Sequence, residues 1–321
     1  MTGVVYESAT GGRDAHPLVP RHLPDVLPTK LFNARGIPAR PWRDDLRQIG
    51  NVRNLVAVAS TLVQSFGVVI AAAVINMWWS YLIAFFLMAR GHVCLNILAH
   101  EAAHRLLFTQ RWANDGVGRW LMGYPTFQPT LLYRRSHFAH HRDEMGPEEP
   151  DFNMYAGYPI PVDSWHRKLK RDITGRTGMT RQKGLWRAIR NGNIEARQVM
   201  VVQAVMLGIS LAFVRPMAYV VWVASWMTIW QFTNRLRAIA EHGGMIRSKD
   251  RRETTHVIRQ TPLARYWFVP YHTGWHLAHH VDMGVPWRNL PKLHDGLVEA
   301  GWIIPEIEYP SYRAFWKSLT R

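Results

Sequence analysis

The stretch LNILAHEAAH, Leu95–His104, decides the fold, because an apolar run ends inside it and a histidine pair begins. Upstream the chain stays apolar from Leu55 to Ala99, broken only by INMWWSY. Asn76 is the natural break, and it leaves Leu55–Ile75 and Trp78–Leu98 as two helices of about 20 residues, each enough to cross the hydrocarbon of a bilayer. A second apolar pair follows at Arg197–Val214 and Met217–Asn234, joined by a tight turn at Arg215-Pro216. The expectation is an all-α membrane protein with four transmembrane helices in two hairpins. HEAAH then lies where the second span meets the aqueous phase.

Composition agrees with that reading and narrows it. The 321 residues are 48% hydrophobic and include 15 Trp, yet the mean hydropathy is −0.16, which suits apolar spans beneath a large polar portion. The lone cysteine, Cys94, rules out an intrachain disulfide, a multi-cysteine zinc site and a four-cysteine iron–sulfur module. A formal charge of +16 first suggests nucleic acid, but the basic residues are spread by topology. They fall before the first span, in the loop between the two apolar pairs and after the fourth span; only Arg90 and Arg215 stand elsewhere. By the positive-inside rule both termini and the middle loop face the cytoplasm, and the charge also attracts anionic lipid headgroups. No nucleic-acid partner is expected. Residues 1–50, with six prolines between Pro17 and Pro41, read as an irregular polar arm without a signal-peptide core. Residues 51–297 read as the membrane domain and 298–321 as a C-terminal tail.

Three histidine clusters sit on the cytoplasmic side of that topology: HEAAH (His100, His104), HFAHH (His137, His140, His141) and HLAHH (His276, His279, His280). On a helix, positions i, i+3 and i+4 share one face, so each cluster can aim its rings in one direction. One such cluster has an ordinary explanation as adjacent surface histidines. Three of them offer more imidazoles than one metal ion takes, and they suit two metals with positions left open for substrate or oxygen.

The chain closely resembles the membrane fatty acid desaturase superfamily, which also holds hydroxylases and carotenoid-modifying oxygenases. The resemblance runs from about Asn51 to Leu297 and is carried by HEAAHRLLFTQRWANDGVGRW, by YRRSHFAHH followed by EEPD, and by YHTGWHLAHHVDMGVPWRNLPKLH. It implies a cytoplasmic helical cap holding two iron ions, with O2 as co-substrate. The implied ligands are His100, His104, His137, His140, His141, His276, His279 and His280, with His242 in RAIAEHGG as the ninth. Animal acyl-CoA members carry an Asn four residues before that ninth histidine, where this chain has Ala238. No catalytic residue beyond the metal ligands is implied. Glu101, Glu241, Glu149 and Asp151 are candidates to orient the rings through their second nitrogen, as is His272, one turn before His276; Glu148 reads as solvated. His92 lies too deep to reach a metal and, with Arg90, reads as a polar helix contact or a lining of the substrate path. His16, His22, His166, His256 and His294 read as surface residues. Arg134 and Arg135 read as an ordinary basic loop, and Trp78, Trp79 and Trp230 as interfacial anchors.

The function implied by the resemblance is O2-dependent introduction of a C=C bond into a long acyl chain, the bacterial acyl-lipid type of reaction. The substrate is a lipid or acyl thioester. Two electrons come from a separate ferredoxin, flavodoxin or cytochrome with its reductase, because neither an HPGG haem motif nor a cysteine set for a fused ferredoxin is present. The expected location is the bacterial inner membrane. A hydroxylase or ketolase of a lipid or carotenoid on the same scaffold is the alternative. A zinc metalloprotease reading rests on HEAAH alone and leaves the other boxes without a role. A histidine-rich metal transporter would need ionisable residues along the spans, where only Arg90 and His92 occur.

Overall fold

The computed structural model describes residues 16–321, and the part of the N-terminal arm before residue 16 lies outside them. The longer helices are α1 (Asn51–Ile75), α2 (Trp78–Ala103), α3 (Thr130–Arg142), α4 (Val162–Ile173), α5 (Arg176–Arg190), α6 (Ile194–Ala212), α7 (Pro216–Ser225), α8 (Gln231–His242), α9 (His276–Val281), α10 (Leu290–Glu299) and α11 (Tyr312–Ser318). The only sheet among the described residues is a parallel pair, β1 (Val257–Ile258) with β2 (Glu308–Tyr309).

Helix α1 stops where the sequence placed the break: Asn76 takes the left-handed conformation, φ 53°, and its N–H closes on the Ala72 carbonyl. Asn tolerates that conformation better than a β-branched residue. Three helices, α1, α2 and α6, are long and apolar enough to cross a membrane. α2 is the central one and is mostly buried, whereas α1 and α6 leave Val56, Val63, Ile70, Val74, Val205 and Ile209 exposed. Side chains of that kind in unbroken rows suit hydrocarbon better than water.

The fourth expected span, Met217–Asn234, takes a different form. The chain is helical from Pro216 through His242, but the segment Trp226–Trp230 is a π-helix between α7 and α8. No single segment of the three has the length of a span. The helix also runs on past Asn234 to His242, so the ninth histidine rides on the same rod as the apolar residues.

α2 is fixed by polar contacts at depth. His92 Nε2 lies 3.1 Å from the Trp222 carbonyl oxygen of α7, and Arg90 Nε donates to the Tyr266 carbonyl at 3.0 Å. His92 is thus a helix-to-helix contact. Trp78 and Trp79 are exposed, but Trp230 is buried and stacks on Trp226 with ring centroids 5.7 Å apart, so it is not a surface anchor.

The flanking segments are packed. From residue 16 onward the arm is irregular apart from a short helix at Trp42–Leu46, as its prolines dictate, yet Leu18, Val19, Phe32 and Leu46 are buried. Phe32 and Leu46 join the same core as Leu98, Ala102, Leu277 and Leu293. Beyond residue 297, Trp302, Tyr312, Phe315 and Leu319 are buried too. A few large apolar side chains in a polar segment suffice to dock it, and that sparse signal is masked by the surrounding Pro and Arg.

Candidate metal centre

The first histidine pair occupies the end of α2: His100 lies in its last turn and His104 caps it. Two features hold that end in place. Gly118, in the π-helical segment Val117–Gly123, lies so close to α2 that a Cβ there would stand 2.3 Å from the Ala102 Cβ. The last carbonyls of α2 are satisfied by side chains: Arg134 donates to Ala103 at 2.9 Å and to Ala102 at 2.8 Å, and Asn114 Nδ2 donates to Ala102 at 2.9 Å. Arg134 also pairs with Asp115. Far from being a loose basic residue, it ties α3 to the end of α2.

α3 carries the second cluster, and its free N-terminal N–H groups are capped from another part of the chain. Both oxygens of the buried Glu195 accept from Leu131 N–H, at 2.9 and 3.0 Å, and one also accepts from Leu132 N–H at 3.1 Å. A carboxylate at that end also meets the positive pole of the helix. α9 carries the third cluster. At its C-terminus Asp282 accepts from Arg43 at 2.7 Å and Arg47 at 3.2 Å.

So mounted, the nine sequence-predicted histidines fall into two groups. His100, His104, His137, His141 and His279 form one and His140, His242, His276 and His280 the other, with ligand atoms in each group within 4.8 Å of one another. The groups adjoin, since the His141 and His280 rings stack with centroids 4.3 Å apart. In the first group Nε2 atoms approach one another at 2.8 Å (His137, His104), 3.0 Å (His141, His137) and 3.1 Å (His279, His141). In the second the separations are 3.1 Å (His242, His276) and 2.9 Å (His280, His276).

Three of the opposite ring nitrogens are turned outward onto acceptors. His140 Nδ1 meets Glu149, His280 Nδ1 meets Glu144, and His242 Nδ1 lies 2.8 Å from the Thr254 carbonyl. A proton held at Nδ1 leaves a lone pair at Nε2. His242 and His280, so held, direct their lone pairs toward His276 Nε2, an arrangement that suits a shared cation. Donors about 2.1 Å from a metal and at right angles stand about 3 Å apart, the spacing found here. Burial, reinforced by neighbouring imidazoles, holds His137, His141, His276, His279 and His280 well below the usual histidine range, so they are neutral donors at pH 7. His140 departs from them: burial lowers it, but the Glu149 hydrogen bond and the charges of Glu149, Glu144 and Asp151 raise it overall. The set fits a pair of divalent metal ions.

Of the predicted orienting groups, Glu149 contacts His140 and also accepts from Met145 N–H. Glu241 stands 3.7 Å from His276 Nδ1 while pairing with Arg237 at 2.8 Å. Glu101 lies 3.6 Å from His100 Nδ1 and accepts from Trp287 N–H at 3.3 Å. Asp151 and Glu148 are exposed; Asp151 lines the neighbouring cavity. His272 packs its ring against Trp275 and Trp287, outside both groups.

Glu144 was not anticipated. It is buried, bonded to His280 and to Thr254, and its charge is opposed by Arg251, which also donates to the His141 carbonyl at 3.1 Å. Its position just after the second box was the available signal, shared with four other acidic residues, Asp143, Glu148, Glu149 and Asp151. His256 is likewise not on the surface: its Nε2 lies 2.8 Å from the Gly243 carbonyl and its backbone N–H donates to the Glu241 backbone carbonyl at 3.0 Å, which fixes the turn after His242.

A cavity of about 550 Å³ opens onto His100, His137 and His279 of one group and His140, His242 and His276 of the other. Ile97, Phe127, Leu132 and Trp226 supply apolar wall. Its size is that of a site for one small organic molecule or a stretch of chain.

The family model described as "Fatty acid desaturase" matches residues 76–316, about three quarters of the chain. A relative described as "Dihydrorhizobitoxine desaturase", from Bradyrhizobium elkanii, is 23% identical over 287 residues, covering 82% of each chain.

Proposed function

The chain belongs to the fatty acid desaturase family, and from that premise we propose that it is an O2-dependent di-iron desaturase introducing a C=C bond into a long acyl chain. Family membership makes it an oxidoreductase acting on acyl substrates in association with a membrane. The observation that carries the finer reading is the two adjoining groups of inward-facing imidazole nitrogens beside one cavity.

His100, His104, His137, His141 and His279 would hold one iron, and His140, His242, His276 and His280 the other. Iron bound there, with O2 and two external electrons, supplies the oxidant needed to take hydrogen from an unactivated C–H bond. The chain's own side chains do the rest. Glu149 and Glu144 keep protons on the outer nitrogens of His140 and His280, fixing ring direction and donor strength. Ile97, Phe127, Leu132 and Trp226 exclude water along the path to the histidines. Glu101, Glu241 and Asp151 are proposed as further orienting groups, and His272 as a support for the wall behind the third box through its tryptophan contacts.

In this reading the π-interrupted rod Pro216–His242 serves as the fourth span, paired with α6 as α1 is with α2. The histidine-bearing segments form the cytoplasmic cap of a multi-pass inner-membrane protein, and residues 51–297 form the desaturase domain. An acidic ferredoxin, flavodoxin or cytochrome delivers electrons against the basic cap. Hydroxylation or ketolation uses the same oxidant with oxygen transferred instead of a second hydrogen removed. Expression with a generic ferredoxin system, followed by mass spectrometry of extracted lipids, distinguishes the two: loss of two hydrogens supports desaturation, gain of oxygen the alternative, and unchanged lipids with an iron-free protein would sink both.

A further inference from the structure

With α1 and α2 read as membrane spans, on which the inference rests, we propose that Pro262–Phe268 is a re-entrant segment. It leaves the cap, enters the hydrocarbon beside α2 and presents Leu263 and Tyr266 to lipid. Depth is read from α1. Its exposed apolar row runs from Leu55 through Val56, Val63 and Ile70 to Val74, and at ~1.5 Å per residue it is about 28 Å long, close to the thickness of the hydrocarbon. Ser65 lies at the middle of that row. Gly91 of α2 is level with it, since a Cβ there would stand 3.0 Å from the Ser65 Oγ. Arg90 is therefore rooted at mid-depth. It also continues a lipid-facing row, because Trp79, Ile83 and Phe86 precede it at helical spacing and are exposed.

A guanidinium at that level needs polar company. Tyr266 supplies it: its carbonyl accepts from Arg90 Nε at 3.0 Å, and its ring centroid lies 4.2 Å from the guanidinium carbon. An arginine side chain is shorter than the half-thickness of about 15 Å, so Tyr266 lies below the headgroups whichever way Arg90 leans. The short helix Pro262–Trp267 thus covers α2 from the lipid side. The Tyr271 hydroxyl then meets Thr61 Oγ1 at 2.5 Å, one turn of α1 nearer the cytoplasm than Ser65, and the chain climbs on to His276. Chain in hydrocarbon must find its backbone partners locally. Pro262 has no N–H, Thr261 Oγ1 accepts from Ala264 N–H at 3.2 Å, and the Ala264 carbonyl accepts from Phe268 and Val269 N–H at 2.9 and 3.0 Å. Arg265, the one charged residue of the segment, reaches back toward the third box, its guanidinium carbon 4.9 Å from the Trp275 ring centroid. Leu263 is 67% exposed and Tyr266 44%; beside Phe86 these side chains extend the apolar surface of the spans.

The test is a spin-label depth measurement on the full chain in phosphatidylcholine nanodiscs. A nitroxide is attached in turn through Leu263→Cys, Val63→Cys and Glu299→Cys; Cys94 is buried, and the unaltered protein gives its background. Val63, in the exposed row of α1, is the lipid reference, and Glu299, exposed at the end of α10, is the water reference. Oxygen concentrates in hydrocarbon, whereas a water-soluble nickel chelate stays outside. The label at Leu263 should relax with oxygen and lose the nickel effect, as at Val63. Nickel relaxation at Leu263 equal to that at Glu299 returns the helix to the aqueous cap and overturns the proposal. Equal relaxation by both agents marks a helix at headgroup level and overturns it too. Failure of the span reading looks different, because Val63 itself would then show the nickel effect. Iron content, measured on the same samples, reports separately on the desaturase reading.

Discussion

The two histidine groups are built by different means, although each gathers residues from all three boxes or from two boxes and the isolated His242. The five-membered group hangs on α2, α3 and α9, with backbone and helix packing setting its rings; His100 Nδ1 has no hydrogen-bond partner at all. The four-membered group leans on carboxylates and loop carbonyls: Glu149 behind His140, Glu144 behind His280, Thr254 behind His242. Rigid helices can present imidazoles without further help. Where a ligand sits near a loop, a fixed acceptor must take over the work of orientation.

The comparison makes unequal predictions. The largest effect is expected from removing a ligand. His140→Ala leaves three donors in the smaller group, so activity should fall to background and iron, measured by atomic emission on purified protein, should drop from two per chain toward one. His279→Ala leaves four in the larger group, so activity should vanish with iron better retained. Equal iron loss would erase the distinction between the groups, and full activity in either variant would count against the assignment.

Glu144→Gln and Glu149→Gln come next. Loss of an orienting carboxylate costs about 10- to 100-fold in metal affinity elsewhere, and here it should appear in competition with a chelator at one site only. Arg134→Ala acts on both groups, since it unties α3 from the end of α2 and leaves the Ala103 carbonyl short of a donor, while Asn114 still serves Ala102; a cost of about 1–3 kcal/mol is expected, read as a lowered melting temperature that added iron partly restores. A smaller effect depends on pH. Burial lowers His256 to about 4 from 6.5, so the unfolded chain takes up its proton first and stability should fall as pH drops from about 6.5 to 4. The shift corresponds to about 3 kcal/mol at its limit; His256→Gln should flatten that part of the melting profile. Glu148→Ala should change nothing measurable.

Legibility in the sequence followed the same division. The helices of the larger group announce themselves by apolar length and by histidines at i, i+3 and i+4, and α1 and α2 lie where Asn76 divides them. His242 was reached only through the family resemblance, because a single histidine carries no periodicity. Glu144 and His256 escaped because their roles depend on contacts across 136 residues to His280 and 13 back to Gly243. The π-helical segment escaped as well: WMTIW has the composition of any apolar helix, and only packing against Gly178 marks it. Trp230 was misplaced for a related reason, since an aromatic near a span end has the same signature whether it meets headgroups or, as here, the Arg181 side chain.

The contact between Arg43 and Asp282 joins positions 239 residues apart, and it bears on the order in which the protein matures. The arm is synthesised early, but this grip needs Asp282, two residues beyond the last histidine box. A chain truncated just before Asp282 would therefore keep all nine histidines and lose only the latch behind the third box.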